Sequence, residues 1–230
     1  MIINDVNLVN VYGVTIISRE IQNSNVINYV DWLESALLPN RIKNEKFTYS
    51  ECKVVLLVEG DSEISVLSKI SNIVNLCKNG VVKFTDLDLH FNFQLLNSSN
   101  KKIYSDAYEL TLNMQINYKY KSEMVKSYNE ASFSVINSGN LTTPCRLELT
   151  PTVNSIDVTI TGFSDSPIII KNLVKGKTIT FDEGTVTQDG SNKFSDIIMW
   201  EFPRLIPGSN SITLSRDTIA TKVIYKEMII

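Results

Sequence analysis

The sequence has little alanine, little histidine and no excess of basic charge. It contains four alanines and one histidine among 230 residues, and alanine is the residue that favours helices most. Lysine and arginine number 22 against 25 aspartates and glutamates, which gives a formal net charge of −3. A chain without a basic surplus is not expected to bind nucleic acid stably or to sit on anionic membranes. Hydrophobic residues make up 43% of the sequence, so intrinsic disorder is also excluded.

Cysteine is scarce and widely spaced, at Cys52, Cys77 and Cys145. An odd number of distant cysteines with one histidine forms neither a disulfide framework nor a zinc site. We therefore expect free, buried thiols and a reducing compartment during folding. The start of the chain predicts no signal peptide, and the uncharged stretch from Val6 to Ser18 is too short and polar to span a bilayer.

β-Branched residues are abundant instead, with 27 isoleucines, 20 valines and 17 threonines. Because such side chains fit a pleated sheet, the fold class predicted is mainly β. One helix is predicted at about 62–78, where apolar residues from Val66 to Cys77 recur on one helical face. Asp61 or Ser62 can cap its start, and Asn79-Gly80 can end it.

The strand patterns predict two β-sandwich domains, 1–125 and 126–230, with a polar linker at 121–130. The first half offers short strands around Gly13 and a turn at 97–100. Between them, Ser18 to Ser50 is expected to be a long excursion with little regular structure, in which only Val26 to Trp32 looks ordered. The second half has about eight short strands separated by glycine and proline turns.

One strand is unusually long. Apolar and polar residues alternate without a break from Tyr108 to Tyr120, a length of roughly 44 Å at about 3.4 Å per residue. A strand of that length tends to extend beyond its own domain or to cross an interface in an assembly.

Residues that could support chemistry are few and scattered. His90 lies on the polar face of a predicted strand, without a nucleophile motif beside it. The acidic pairs Asp86/Asp88 and Asp182/Glu183 fit solvated strand ends and a turn better than a hydrolytic dyad. No nucleotide-binding motif is present. The sequence therefore predicts no enzyme and no catalytic, cofactor-binding or metal-binding residues.

Two tryptophans leave carbohydrate binding open. Trp32 and Trp200 could stack on sugar rings, but Trp200 stands among core-like residues, and we expect it to be packed inside.

Three segments of the second half of the sequence resemble one family. Residues Asn137–Pro144, Ile156–Gly162 and Phe202–Ile212 are similar to the C-terminal domain of distal tail proteins (Dit) of Gram-positive siphophages and related prophages. The order of the first half, from strand Lys53–Val58 through the helix and Phe84–Asp86 to the long strand, is also similar. The resemblance extends over essentially the whole chain.

The resemblance implies a non-enzymatic virion protein. It implies a ring, with six copies expected, that joins the tail tube protein to the baseplate or tail-tip hub protein after assembly in the cytoplasm of the host bacterium. It also implies a tail-tube-like N-terminal domain and a galectin-like C-terminal domain. The alternatives are a carbohydrate-binding module for cell-wall saccharide and, with far less support, a hydrolase dependent on His90.

Overall fold

A computed structural model describes residues 1–24, 26–31, 40–47 and 49–230. By packing, the chain forms two units, 1–119 with Ile230, and 120–229. Antiparallel strands dominate both units, so the mainly-β prediction is confirmed.

The first unit is a sheet with a helix on one face. Its strands follow the order β2-β1-β7-β8-β9-β6-β3, and β4 pairs with β5 alone. The elements are β1 (Ile2–Ile3), β2 (Val6–Asn7), α1 (Leu8–Tyr12), β3 (Thr15–Ile21), β4 (Val26–Asp31), β5 (Asn40–Phe47), β6 (Ser50–Glu59), α2 (Glu63–Leu76), β7 (Asn79–Lys83), β8 (His90–Tyr104) and β9 (Ala107–Tyr120).

Helix α2 lies close to its predicted position. It begins after Ser62, whose Oγ accepts a hydrogen bond from the N–H of Ser65 at 3.3 Å and so satisfies one free donor of the first turn. Its buried residues Val66, Ile70 and Ile73 belong to the core that also contains the apolar faces of β6 and β9. Each such side chain contributes about 1.5–3 kcal/mol when fully buried, which holds the helix on the sheet.

Three predictions for this unit were wrong. Leu8–Tyr12 is a short helix, because the Asn7 side chain caps it and Gly13 ends it in a left-handed conformation. The excursion from Ser18 to Ser50 contains β4 where order was expected, but it also contains β5 and most of β3. The turn predicted at 97–100 lies inside β8, where the Asn113 side-chain amide donates to Asn97 Oδ1 at 2.7 Å.

The second unit is a sandwich of two antiparallel sheets. One contains the path β10-β21-β12-β15-β16-β17, with β19 joined to β12, and the other is β11-β20-β13-β14-β18. The strands are β10 (Met124–Tyr128), β11 (Ser132–Asn137), β12 (Thr143–Pro151), β13 (Ser155–Thr161), β14 (Ile168–Leu173), β15 (Ile179–Asp182), β16 (Thr185–Gln188), β17 (Ser191–Asn192), β18 (Ile197–Ile198), β19 (Arg204–Leu205), β20 (Gly208–Leu214), β21 (Ile219–Tyr225) and β22 (Met228–Ile229), with a 3₁₀ turn at Phe194–Asp196.

The predicted linker at 121–130 is largely a strand. Met124–Tyr128 pairs with Tyr225–Thr221 of β21, because these backbone groups complete the edge of the first sheet. Inward-facing residues of both sheets, among them Leu147, Ile170 and Val223, are fully buried in one core.

Candidate functional site

Two of the three segments that carry the C-terminal resemblance, 137–144 and 202–212, meet at one end of the sandwich. Strands β11 and β20 pair so that Asn137 lies opposite Gly208, although the two residues are far apart in the sequence. The turn after β11 and the turn before β20 are therefore neighbours. We call residues 137–143, 205–210 and 225–228 together the turn junction.

Asn137 links both turns through its side chain, and it is 1% exposed. Its amide nitrogen donates to the carbonyl oxygens of Leu141 and Leu205, each at 3.1 Å. Its Oδ1 accepts the N–H of Gly139 at 3.0 Å. One buried amide thus satisfies backbone groups of two separate segments, as burial of backbone polar groups requires.

Asn210 makes the equivalent contacts in the second turn. Its amide nitrogen donates to the carbonyl oxygens of Ile206 at 2.9 Å and Gly208 at 3.1 Å, and its Oδ1 accepts the N–H of Ile206 at 2.9 Å. Asparagine supplies the donor and the acceptor that such a turn needs in a single side chain.

A buried carboxylate closes the junction from the C-terminal side. Glu227 is 3% exposed, and its Oε1 accepts the N–H of Ser138 at 2.8 Å while its Oε2 is 2.9 Å from Lys121 Nζ. Burial opposes ionisation, but the bonds from Lys121 and Ser138 outweigh it and hold the pKa of Glu227 below its ordinary value. The group is therefore charged and fully engaged at neutral pH.

Glycine is needed at position 139 because the chain passes too closely for a side chain. A Cβ added to Gly139 would lie 2.3 Å from the carbonyl oxygen of Met228. Since these polar groups of the junction bind one another, the junction serves to fix the fold.

The acidic residues considered for chemistry are engaged in structure. Both carboxylate oxygens of Asp86 accept hydrogen bonds from Arg19 at 2.8 Å. These bonds lower the pKa of Asp86 to about 2, so it cannot act as an acid near neutral pH. Asp182 Oδ1 accepts the N–H of Glu183, and Gly184 follows with φ +77°, which confirms the turn there.

The remaining candidates for chemistry lie apart from one another. His90 is half-buried at the start of β8. The three cysteines are free and buried, as predicted, and burial raises the pKa of Cys52 to about 11 and those of Cys77 and Cys145 to about 12. Over the part of the chain that the structure describes, no three histidine, cysteine or acidic side chains are grouped as a metal site would need. No helix within that part is long and apolar enough to cross a membrane.

Trp200 is a correction to the sequence analysis. It is 85% exposed, whereas Met199 and Phe202 on either side pack against the core. The strand pattern that suggested burial ends at Ile198, and Trp200 stands in the bend that follows. Trp32 lies outside the described residues.

The long hairpin of the first unit presents a second surface. Strand β9 runs from Ala107 to Tyr120, close to its predicted bounds, and its partner β8 is also long, with 15 residues against 14. All residues from Leu96 to Tyr104 are exposed, including the apolar side chains of Leu96, Ile103 and Tyr104. The alternation of apolar and polar residues was enough to predict β9. The outer half of β8 was not predicted, because its residues are mostly polar and show no such alternation.

Comparison with known proteins finds a family model that matches the second unit. Residues 138–228, which include most of the turn junction, are similar to the sequence model of the siphovirus-type tail component, C-terminal domain. The chain matches no protein among curated sequences.

Solved structures extend the similarity to the first unit. The Dit protein of phage SPP1, described as a paradigm of the hub adsorption apparatus in phages that infect Gram-positive bacteria, has 12% sequence identity and a TM-score of 0.81. The match covers 100% of this chain and 98% of that one. Two structures of the phage P2 baseplate in its activated conformation, one with Ca and one with Sr, contain chains that match at TM-scores of 0.52 and 0.51. In both cases the sequence identity is 11%, and the match covers 94% of this chain and 91% of the other. At such identities the likeness shows a common fold.

Proposed function

We propose that this chain is a structural subunit of the distal tail ring of a phage or of a phage-tail-like particle. The observation that carries the proposal is the SPP1 Dit fold along the entire chain, at a TM-score of 0.81. The match of residues 138–228 to the siphovirus-type tail component model supports it independently. In this proposal six copies surround a channel and join the tail tube to the baseplate or tail-tip hub, and the subunit catalyses no reaction.

The two domains have different tasks in this proposal. The N-terminal domain, 1–125, is tail-tube-like and forms the ring, and the C-terminal domain, 126–230, is galectin-like. The exposed half of β8 supports a role of the first domain in assembly, because long exposed strand edges pair with other chains. The protein is assembled in the cytoplasm of the host bacterium and ends at the tail tip of the virion.

The mass and shape of the purified protein test the proposal. The chain has a mass of 25.9 kDa, so a closed ring of six would have about 155 kDa and appear annular in negative-stain electron micrographs. Light scattering over a range of concentrations should show this species, alone or after addition of tail tube protein. A protein that stays monomeric and never enters tails would overturn the proposal.

The exposure of Trp200 favours a second candidate, a carbohydrate-binding function of the C-terminal domain. In the segment that follows Trp200, Arg204 forms ion pairs with Glu201 and Asp165 at 3.1 and 3.0 Å. An exposed aromatic face can stack on a sugar ring, and polar side chains can bind its hydroxyls.

Binding to isolated cell walls tests this candidate. Trp200→Ala should abolish binding, while Ile136→Ala, which truncates another well-exposed apolar residue of the same unit, should leave it unchanged. Equal binding by both variants, or none by the parent protein, would remove the candidate.

A further inference from the structure

One sheet of the second unit, β11-β20-β13-β14-β18, turns a face rich in hydroxyl groups to solvent. On its strands every second residue is buried in the core, for example Val135, Ile160 and Ile212, so the residues between them point outward. Most of the described outward side chains on β11, β20 and β13 are serines and threonines. We call six of them the hydroxyl face: Ser132, Ser134, Thr159, Thr161, Ser211 and Thr213.

The hydroxyl groups stand in rows across neighbouring strands. Thr213 lies opposite Ser132 on one side and opposite Thr161 on the other, and Ser134 lies opposite Ser211. Side chains opposite each other on adjacent strands are about 4.5–5.5 Å apart. At a strand spacing of about 4.8 Å, the five strands of the sheet span roughly 19 Å from β11 to β18. The face therefore offers hydroxyl groups at a regular spacing over an area that an extended chain molecule can cover.

These hydroxyl groups keep bonding capacity for a ligand. Ser134 Oγ and Ser209 Oγ are 2.8 Å apart and share one hydrogen bond, and Ser132 Oγ donates to Thr213 Oγ1 at 3.4 Å. A hydroxyl group has one donor and two acceptor sites, so each of these oxygens still has an acceptor site after its bond. Such a surface suits a ligand that itself carries many hydroxyl donors.

Charge is confined to the margins of the face. Asp157, the one charged residue among the described outward side chains of β11, β20 and β13, lies beyond the end of β20 and opposite Lys171. Its carbonyl oxygen and carboxylate accept bonds from Arg216 at 2.7 and 3.3 Å. Toward β18, Lys193 is paired with Asp196 at 2.7 Å. The hydroxyl rows thus lack the arginine or lysine with which proteins bind phosphate and carboxylate groups.

Trp200 stands at the border of the same sheet face. Ile198 on β18 lies opposite Ile169 on β14, and Ile169 lies opposite Thr159 on β13. Trp200 follows Ile198 by two residues, so the Cα atoms of the two are at most about 7 Å apart. Its indole is 85% exposed. An exposed aromatic surface therefore adjoins the hydroxyl rows, and the two together match a sugar, which has apolar ring faces and polar edges.

We propose that the hydroxyl face, with Trp200 at its border, binds an uncharged polysaccharide of the bacterial cell wall. The inference rests on the second candidate function above, carbohydrate binding, and it adds the surface and the class of saccharide. An uncharged polysaccharide exchanges hydrogen bonds with the hydroxyl rows and brings no charge that must leave water. A wall polymer with phosphate groups would lay its charges on a surface without a cation to pair them.

Competition and salt dependence test the class of saccharide. Binding of the full chain to isolated Gram-positive cell walls is measured with added uncharged wall polysaccharide and, separately, with added teichoic acid, which carries phosphate. The uncharged polysaccharide should compete and teichoic acid should not. Binding should change by less than about twofold between roughly 0.05 and 0.5 M salt, because salt screens interactions between charges. Competition by teichoic acid, or loss of binding at high salt, would overturn the inference.

Substitutions in one row locate the binding surface. Thr213→Val removes the central hydroxyl and keeps the shape of the side chain, and it should weaken binding about fivefold to tenfold, as expected for one lost hydrogen bond. The triple variant Ser132→Ala, Thr161→Val, Thr213→Val removes the whole row and should weaken binding by at least about a hundredfold. Thr185→Val is the matched control, because Thr185 is exposed on the other sheet, and it should bind like the parent. Far-UV circular dichroism and the urea midpoint confirm that each variant is folded.

Two results separate this inference from the candidate function on which it rests. Binding that is lost in Trp200→Ala but retained by the triple variant would refute the hydroxyl face and leave carbohydrate binding at Trp200 in place. A parent protein that does not bind cell walls would remove both. Loss of binding in Trp200→Ala and in the triple variant, with Thr185→Val unchanged, is the expected outcome.

Discussion

Replacing Asn137 by alanine tests whether the turn junction holds the second unit together. The substitution removes the donor to the carbonyl oxygen of Leu205 and the acceptor for the N–H of Gly139, both in buried surroundings. The carbonyl of Leu141 keeps its bond from Thr143 Oγ1 at 3.2 Å. Since each buried group left without a partner costs about 1–3 kcal/mol, we expect Asn137→Ala to lower the free energy of unfolding by about 2–4 kcal/mol.

Urea unfolding followed by far-UV circular dichroism measures this loss, with a separate transition fitted for each unit. The midpoint of the second unit should fall by about 1–2 M urea at constant slope. Thr142→Ala is the matched control, because Thr142 is exposed in the same turn, and it should change stability by less than about 0.5 kcal/mol. An Asn137→Ala loss below about 1 kcal/mol would show that the backbone holds the junction without the amide.

Three further predictions concern the same unit and the cysteines. Gly139→Ala should cost about 1–3 kcal/mol in urea unfolding, because its Cβ would meet the carbonyl oxygen of Met228 at 2.3 Å; a neutral result would show that the two segments separate freely. The folded-state pKa of Glu227 is lowered, so its stabilisation is complete above the unfolded-state pKa and is lost as the pH falls through the folded-state value. The stability advantage of the parent protein over Glu227→Gln should therefore be constant near neutral pH and shrink in acid, and an advantage that grows in acid would contradict the assignment. The three native thiols should resist alkylation at about pH 8 until urea unfolds the protein, and mass spectrometry of the native protein would detect any early modification.

The sequence predicted helices and strands well wherever the burial of one face forces apolar residues to recur at a regular spacing. Helix α2 and strand β9 lie close to their predicted bounds, because each has one face in the core and its apolar residues must repeat every 3.6 or every 2 positions. Outer β8 lacks that signal, since residues 96–104 are exposed on both faces in the isolated chain. The short helix α1 was missed for another reason, because its formation depends on a cap at Asn7 and a left-handed Gly13 rather than on a repeat.

Trp200 shows a further limit of pattern reading. Ile197, Met199 and Phe202 all pack against the core. A tryptophan that stands between such residues in the sequence is therefore expected to be buried as well. The chain leaves the strand after Ile198, so position along the sequence no longer determines which way a side chain points. Only the backbone path reveals that this indole faces solvent.

The features that carry the sequence similarity and those that carry the shared fold are of different chemical kinds. The turn junction depends on particular side chains, since Asn137 and Asn210 each use the donor and the acceptor of a short side-chain amide, and position 139 admits no Cβ. The sheets of both units depend on backbone groups, which every residue except proline can supply in full. The sequence of a strand can therefore change at many positions while its backbone pairing is kept, provided that its buried face stays apolar. This explains in physical terms how a fold can be shared at a TM-score of 0.81 with 12% identity, and why the sequence match falls on residues 138–228, which include most of the turn junction.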